Sequence, residues 1–159
     1  MSDLSENDRK ILSLIQRDAK LTNAEIGRQV GLSVSAVNER LHKLRDSGVI
    51  RAYEARLAPA KVGMDLCAFV LVQLERPEHE VPFKKAVRSS LAVQECHHVT
   101  GDYNYLLKIR TASTAELEEI LTQGLKSLTG VVRTSTMIAL SSPKESTALD
   151  LKPRDLPAG

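Results

Sequence analysis

Between Thr22 and Gly48 the chain reads TNAEIGRQVGLSVSAVNERLHKLRDSG, and this stretch constrains the fold most, because it encodes two short helices with almost nothing between them. Thr22 followed three residues later by Glu25 has the spacing of a capping box, in which hydroxyl and carboxylate each accept from an orphaned backbone N–H. Ala24, Ile26 and Val30 give this helix a narrow apolar side. Gly31 can take the left-handed conformation that stops it, Leu32 can plug the corner, and Ser33 suits the N-cap of the next helix. A turn of about three residues between two helices is the helix-turn-helix arrangement. The alternative is a helical hairpin inside some other kind of domain.

In the second helix Val34, Val37, Leu41 and Leu44 recur at three- and four-residue spacing, which at roughly 100° per residue makes one buried stripe. Ser35, Ala36, Glu39, His42, Lys43 and Asp46 then face outward, flanked by Asn38, Arg40 and Arg45. Small residues at the front of that face, such as Ser35 and Ala36, permit close approach to base edges. Asn38, Arg40 and Lys43 supply the amide and cationic groups that bind adenine, guanine or phosphate. Glu39 could accept from a cytosine amino group or pair with Lys43 four residues on. Arg40, beside the apolar stripe, fits either a DNA contact or a structural salt bridge.

A further helix precedes the pair, with Ser5 as candidate cap, Asp8 at the third helical position and Leu4, Ile11, Leu12, Leu14 and Ile15 as its apolar set. After Gly48, Val49–Leu57 alternates as a strand would, and the following Ala-Pro-Ala-Lys-Val-Gly reads as a connector. The chain therefore divides into a helix-turn-helix domain with a hinge strand over 1–57, a linker over 58–65, a second domain over 66–141 and an extended or fraying tail over 142–159, which carries three of the prolines. The formal net charge is only +2, but residues 1–56 hold ten Lys/Arg against eight Asp/Glu, while the remainder holds twelve of each. All the excess sits on the helical part, where nucleic acid would need it. With 42% hydrophobic and 26% charged residues, no apolar run near a membrane-span length and no signal-peptide core, the composition points to a cytoplasmic globular protein.

The second domain has the order βαββαβ: strands over 66–75, 93–99, 103–111 and 131–141, with helices over 81–90 and 114–128. That is the ferredoxin-like split unit, so the fold class is α+β. Two helices cover one face of such a sheet. Strand 66–75 is apolar on both sides, with Cys67, Phe69 and Leu71 on one and Ala68, Val70, Val72 and Leu74 on the other, so the second face should pack on its twin in a homodimer. Thr100-Gly101-Asp102 is a hairpin turn, and a plain turn explains the glycine. It does not require the polar and aromatic crowd of His98, Thr100, Asp102, Tyr103, Asn104 and Tyr105. Turn amides and a carboxylate suit a zwitterionic small molecule, with Asp102 meeting an ammonium. Cys96-His97-His98 would alternate faces on a strand, which argues against a shared metal. Catalysis is not expected, since the chain shows no phosphate loop, nucleophile elbow or metal triad; no cofactor is expected either.

Two segments, LTNAEIGRQVGLSVSAVNERLHKLRDSGVIRAY and QECHHVTGDYNYLLKIR, closely resemble the Lrp/AsnC (feast/famine) transcription regulators, and the resemblance runs from about Leu4 to Ser141. It implies a DNA-binding helix-turn-helix, a hinge strand and an effector domain that forms homodimers and then larger rings, often octamers, on double-stranded DNA. It places the recognition helix on Ser33–Asp46, with Ser33, Ser35, Ala36, Asn38, Glu39, Arg40 and Lys43 at the DNA. It places an amino-acid effector between effector domains, at His98, Thr100, Gly101, Asp102 and Tyr103, with Thr134, Thr136 and Met137 nearby. Many members carry Asp where this chain has Asn104, which alters the charge of that site. The implied function is a sequence-specific regulator of amino-acid metabolism, modulated by an amino acid. A stand-alone amino-acid sensor acting on a protein partner is the alternative, and the helical domain argues against it.

Overall fold

The computed structural model describes residues 4–152, which form two compact units. One holds the described residues up to Ala55 together with those from Lys144 onward, and the other runs from Arg56 to Pro143.

The first unit is built on α1 (Glu6–Arg17), α2 (Asn23–Val30) and α3 (Val34–Asp46). Capping boxes start two of them. Ser5 N–H donates to Asp8 Oδ2 (3.1 Å) while Asp8 N–H donates to Ser5 Oγ (3.2 Å), and Thr22 and Glu25 repeat the exchange at 2.7 and 3.2 Å. Ser33 caps α3 by accepting from Ala36 N–H at 3.2 Å. Gly31, at φ +72°, ends α2 as its sequence position demands. Ile11, Ile26, Val37 and Leu41 form the buried centre, with Leu14, Ile15, Leu21, Val30, Leu32 and Ile50 packed against it. Two expected apolar positions differ: Ala24 is exposed, and Val34 is 53% exposed because the first residue of α3 lies ahead of the point where the helix meets the core.

Gly27 is buried within α2, although no spacing pattern distinguishes it from other helical residues. A Cβ there would lie 2.5 Å from the Leu32 carbonyl oxygen, and the Leu32 N–H donates to Gly27 O at 3.0 Å. The turn thus folds directly onto α2, which only a residue without a side chain permits.

Val49–Leu57 is not a strand. Residues 51–58 have no regular structure and are exposed. Alternation favours extended backbone, but a strand needs a partner for its N–H and C=O groups, and none of the described strands pairs with it. Pro59–Val62 then makes a tight 3₁₀ turn closed by Gly63 at φ +76°.

The second unit contains β1 (Leu66–Leu74), α4 (Glu80–Ser89), β2 (Val93–His98), β3 (Tyr105–Thr111), α5 (Thr114–Glu119) and β4 (Val131–Ile138). The sheet order is β2-β3-β1-β4, with every neighbouring pair antiparallel. Ala68, Val70, Val72 and Leu74 of β1 and Tyr105, Leu107 and Ile109 of β3 are buried with Phe83, Val87, Leu117 and Leu125 from the helical side. Full burial of a side chain such as Phe83 contributes about 1.5–3 kcal/mol. Phe69 and Leu71, on the opposite face, are only half-buried. The second helix does not run unbroken to 128: after Glu119 it widens into a π-helical stretch, Ile120–Leu125, with Lys126 N–H reaching back five residues to Leu121 O at 2.9 Å.

The described part of the tail, 142–152, contains no helix or strand. The expectation for 153–159 lies outside the described residues.

Candidate nucleic-acid interface and effector site

The outward side of α3 is open. Val37, Leu41 and Leu44 are buried, while Ser33, Ser35, Asn38, Glu39 and Lys43 are exposed and Ala36 and Arg40 partly so. The polar groups are already organised. Ser33 and Ser35 hydroxyls lie 3.1 Å apart, and Asn23 Nδ2 donates to Asn38 Oδ1 at 3.3 Å, leaving the Asn38 amide nitrogen as its outward donor. Lys43 Nζ pairs with Glu39 Oε1 at 2.6 Å, both side chains well exposed. The hydrogen bond from Lys43, and then its charge, hold the Glu39 carboxyl below the usual carboxylate range.

Arg40 is held differently. Its guanidinium donates to Asp8 Oδ1 at 2.8 Å and to Ser5 Oγ at 3.1 Å, so the capping box of α1 also grips the side of α3. Burial pushes the Asp8 carboxyl up, but hydrogen bonds from Ser5 and Arg40 outweigh it and leave the group below its ordinary value. Of the two possibilities for Arg40, the ion pair is present in this structure; a DNA contact would have to be made by the remaining guanidinium nitrogens or by exchange of Asp8 for phosphate. A groove of ≈ 400 Å³ lies along this side, lined by Leu4 and Asp8 and by Ala36, Arg40 and Lys43 of α3.

In the second unit Gly101 sits at φ +111°, a conformation that favours glycine. Val99 N–H donates to Asn104 O (2.9 Å) and Asn104 N–H to Val72 O (3.0 Å), so the turn is fastened to β1. Asn104 Oδ1 accepts from Leu74 N–H at 2.7 Å, which makes its side chain part of that fastening. Gly101, Asp102 and Thr100 are exposed. Tyr103 lies beneath the guanidinium of Arg133, 5.3 Å from ring centroid to carbon.

The remaining candidates are spread across the sheet. His98 pairs with Tyr105, Tyr105 with Val72, and Val72 with Thr134, one row running from one edge to the other. Three strand spacings separate His98 from Thr134, roughly 14 Å. His98 stacks on Tyr105 at 5.0 Å, and Tyr105 in turn meets Phe83 at 4.9 Å. Thr134 and Thr136 lie opposite Val72 and Val70 on the helix-covered face, whereas Met137, opposite Phe69, lies on the open face and is 50% exposed. One protomer thus brings Tyr103 and Arg133 together at the turn but gathers neither His98 nor Met137 to them. Arg133 was missed by sequence reasoning, because its place beside Tyr103 depends on the β1–β4 register and no local pattern encodes it. Cys96, His97 and His98 pair with successive residues of β3 and so alternate faces. Among the described residues no three His, Cys, Asp or Glu side chains are placed to hold a metal, and no helix is long and apolar enough to cross a membrane.

Known proteins match both halves. Residues 4–51 match the winged helix-turn-helix DNA-binding family and residues 67–149 the Lrp/AsnC ligand binding domain. The chain is 37% identical to the HTH-type transcriptional regulator FL11 of Pyrococcus abyssi, over 94% of this chain and 97% of that protein. It is 36% identical to the leucine-responsive regulatory protein of Escherichia coli K12, over 96% and 94%. A transcriptional regulator of Neisseria meningitidis, crystallised as its L-Met complex, superposes with a TM-score of 0.90 at 32% identity, covering 94% of this chain and 98% of that one. A DNA-binding helix-turn-helix joined to a βαββαβ ligand-binding domain, matched along nearly its whole length by such regulators, makes this chain a member of the Lrp/AsnC family of transcriptional regulators.

Proposed function

We propose that this protein binds specific duplex DNA sites through α3, as a dimer-based assembly whose binding changes when an amino acid occupies the effector unit. The observation that carries the reading is the two-sidedness of α3: Val37, Leu41 and Leu44 are buried while Ser35, Asn38 and Lys43 stand clear on one exposed side. Lys43 is the phosphate or guanine contact, Asn38 the adenine contact, and Ser33, Ser35 and Ala36 allow close approach. Glu39 restrains Lys43 until DNA replaces it.

The effector reading rests on the exposed Gly101-Asp102 turn and on the L-Met complex of the Neisseria relative. Asp102 meets the ammonium, the turn amides meet the carboxylate, and His98, Thr134, Thr136 and Met137, separated within one protomer, contribute through neighbouring copies. The half-buried Phe69 and Leu71 and the exposed Met137 support burial of the open sheet face in a homodimer, with the octamer as the larger assembly. Sedimentation as a stable monomer at micromolar concentration would refute that assembly.

Titrating a bound duplex with salt tests the DNA face. Lys43→Ala should weaken binding across sequences and lower the salt slope by about one; an unchanged slope removes Lys43 from the interface. Calorimetry with the standard amino acids, L-methionine first, on wild type and Asp102→Ala tests the effector site. Heat that survives Asp102→Ala unaltered would displace the site from the turn.

A further inference from the structure

The described residues from Lys144 onward group with the helical unit although they follow β4 of the sheet unit. The contact is specific. Gln16, near the end of α1, uses both ends of its amide on one residue: Oε1 accepts from Leu149 N–H at 2.7 Å and Nε2 donates to Leu149 O at 3.2 Å. About two turns earlier on the same helix, Arg9 donates to Leu151 O at 3.4 Å. Pairing a side-chain amide with both backbone groups of a single residue mimics one rung of a β-ladder, and it fixes an otherwise unstructured segment in place and direction.

We infer that the segment from Lys144 to Lys152 is a strap, a second covalent connection through which the effector unit holds the DNA-reading unit by α1. The chain passes between the units once after Ala55 and again after Pro143. A single exposed linker would leave the helical unit free to reorient, whereas a second attachment restricts it and carries displacement from one unit to the other. The strap leaves β4, the strand bearing Thr134, Thr136 and Met137, and it ends on the helix whose Ser5 and Asp8 grip Arg40 of α3. A shift of β4 on ligand binding is therefore delivered to the flank of the reading helix. The ligand-linked part of this inference rests on the amino-acid reading above; the attachment itself does not.

Two measurements on the full-length protein decide it. Gln16→Ala keeps α1 helical, since Ala is the best helix former, and removes both bonds to Leu149. In hydrogen exchange, wild-type residues 146–152 should exchange about fivefold or more slowly than unstructured chain, and Gln16→Ala should release them while α2 and α3 are unchanged. Unprotected wild-type residues, or protection that survives Gln16→Ala, overturn the strap. Leu149→Pro, which deletes the donor without touching α1, should reproduce the release.

The second measurement is the ratio of duplex-DNA Kd values with and without saturating L-methionine. Gln16→Ala and Leu149→Pro should bring a wild-type ratio toward one while the calorimetric heat of L-methionine binding persists. An undiminished ratio overturns the coupling. Absence of heat with every standard amino acid in wild type defeats the effector reading alone, and the exchange measurement still decides the strap.

Discussion

In the helical unit the contacts that start the helices join near neighbours, as Ser5 joins Asp8 and Thr22 joins Glu25 within three residues. In the sheet unit they join distant ones, as Asn104 joins Leu74 across thirty and Val70 pairs with Leu107. The first kind of contact depends on backbone spacing within one turn of helix and is written in the local sequence. The second depends on which strands meet and in what register. The two units therefore ought to fail in different ways when perturbed.

The largest expected effect is in the sheet unit. Phe83→Ala, emptying a site that is 1% exposed between α4 and Tyr105, should cost about 3–5 kcal/mol in urea unfolding. Amide exchange should rise throughout the strands and leave α2 and α3 protected; equal loosening of both units would break the comparison. Next comes the one place where the helical unit depends on close packing of backbone. Gly27→Ala, which presses a methyl on the Leu32 carbonyl, should destabilise that unit by about 1–3 kcal/mol, seen as lost helical ellipticity and lost DNA binding with the sheet intact. An unaltered melting curve would show that the turn can yield.

The smallest effect is electrostatic. Asp8 has a folded pKa below its unfolded value, so the folded state binds that proton less readily than the unfolded chain does. Its contribution is complete above the unfolded value of about 3.9 and is lost as pH falls through the folded value. Asp8→Asn should flatten that acid limb of the helical unit's stability by no more than about 1 kcal/mol, and should leave the acid response of the sheet unit as it was. A slope unchanged by the substitution would mean that other carboxylates dominate.

Legibility followed the same division. The caps at Ser5, Thr22 and Ser33, the stop at Gly31 and the buried stripe from Val37 to Leu44 could be read from spacing, because each is settled within a turn or two of helix. The order βαββαβ was legible too, since β1 is a short run apolar on both sides and β3 carries an apolar alternation. Three features were not. Val49–Leu57 has the pattern of a strand, but a pattern does not supply a partner. Gly27 looks like any helical glycine until the turn is folded onto it. Arg133 has no local relation to Tyr103; the β1–β4 register brings it there.

By itself the sequence determined the helix-turn-helix, the two-domain order and the chemistry offered by α3 and by the Gly101 turn, all consequences of short-range geometry. Only the tertiary structure decided that Arg40 is gripped by Asp8, that His98 and Thr134 stand at opposite edges of one sheet, and that Leu149 returns to Gln16. Those contacts span tens of residues, and pairing over such distances depends on the folded surfaces that meet, which no stretch of the chain encodes alone.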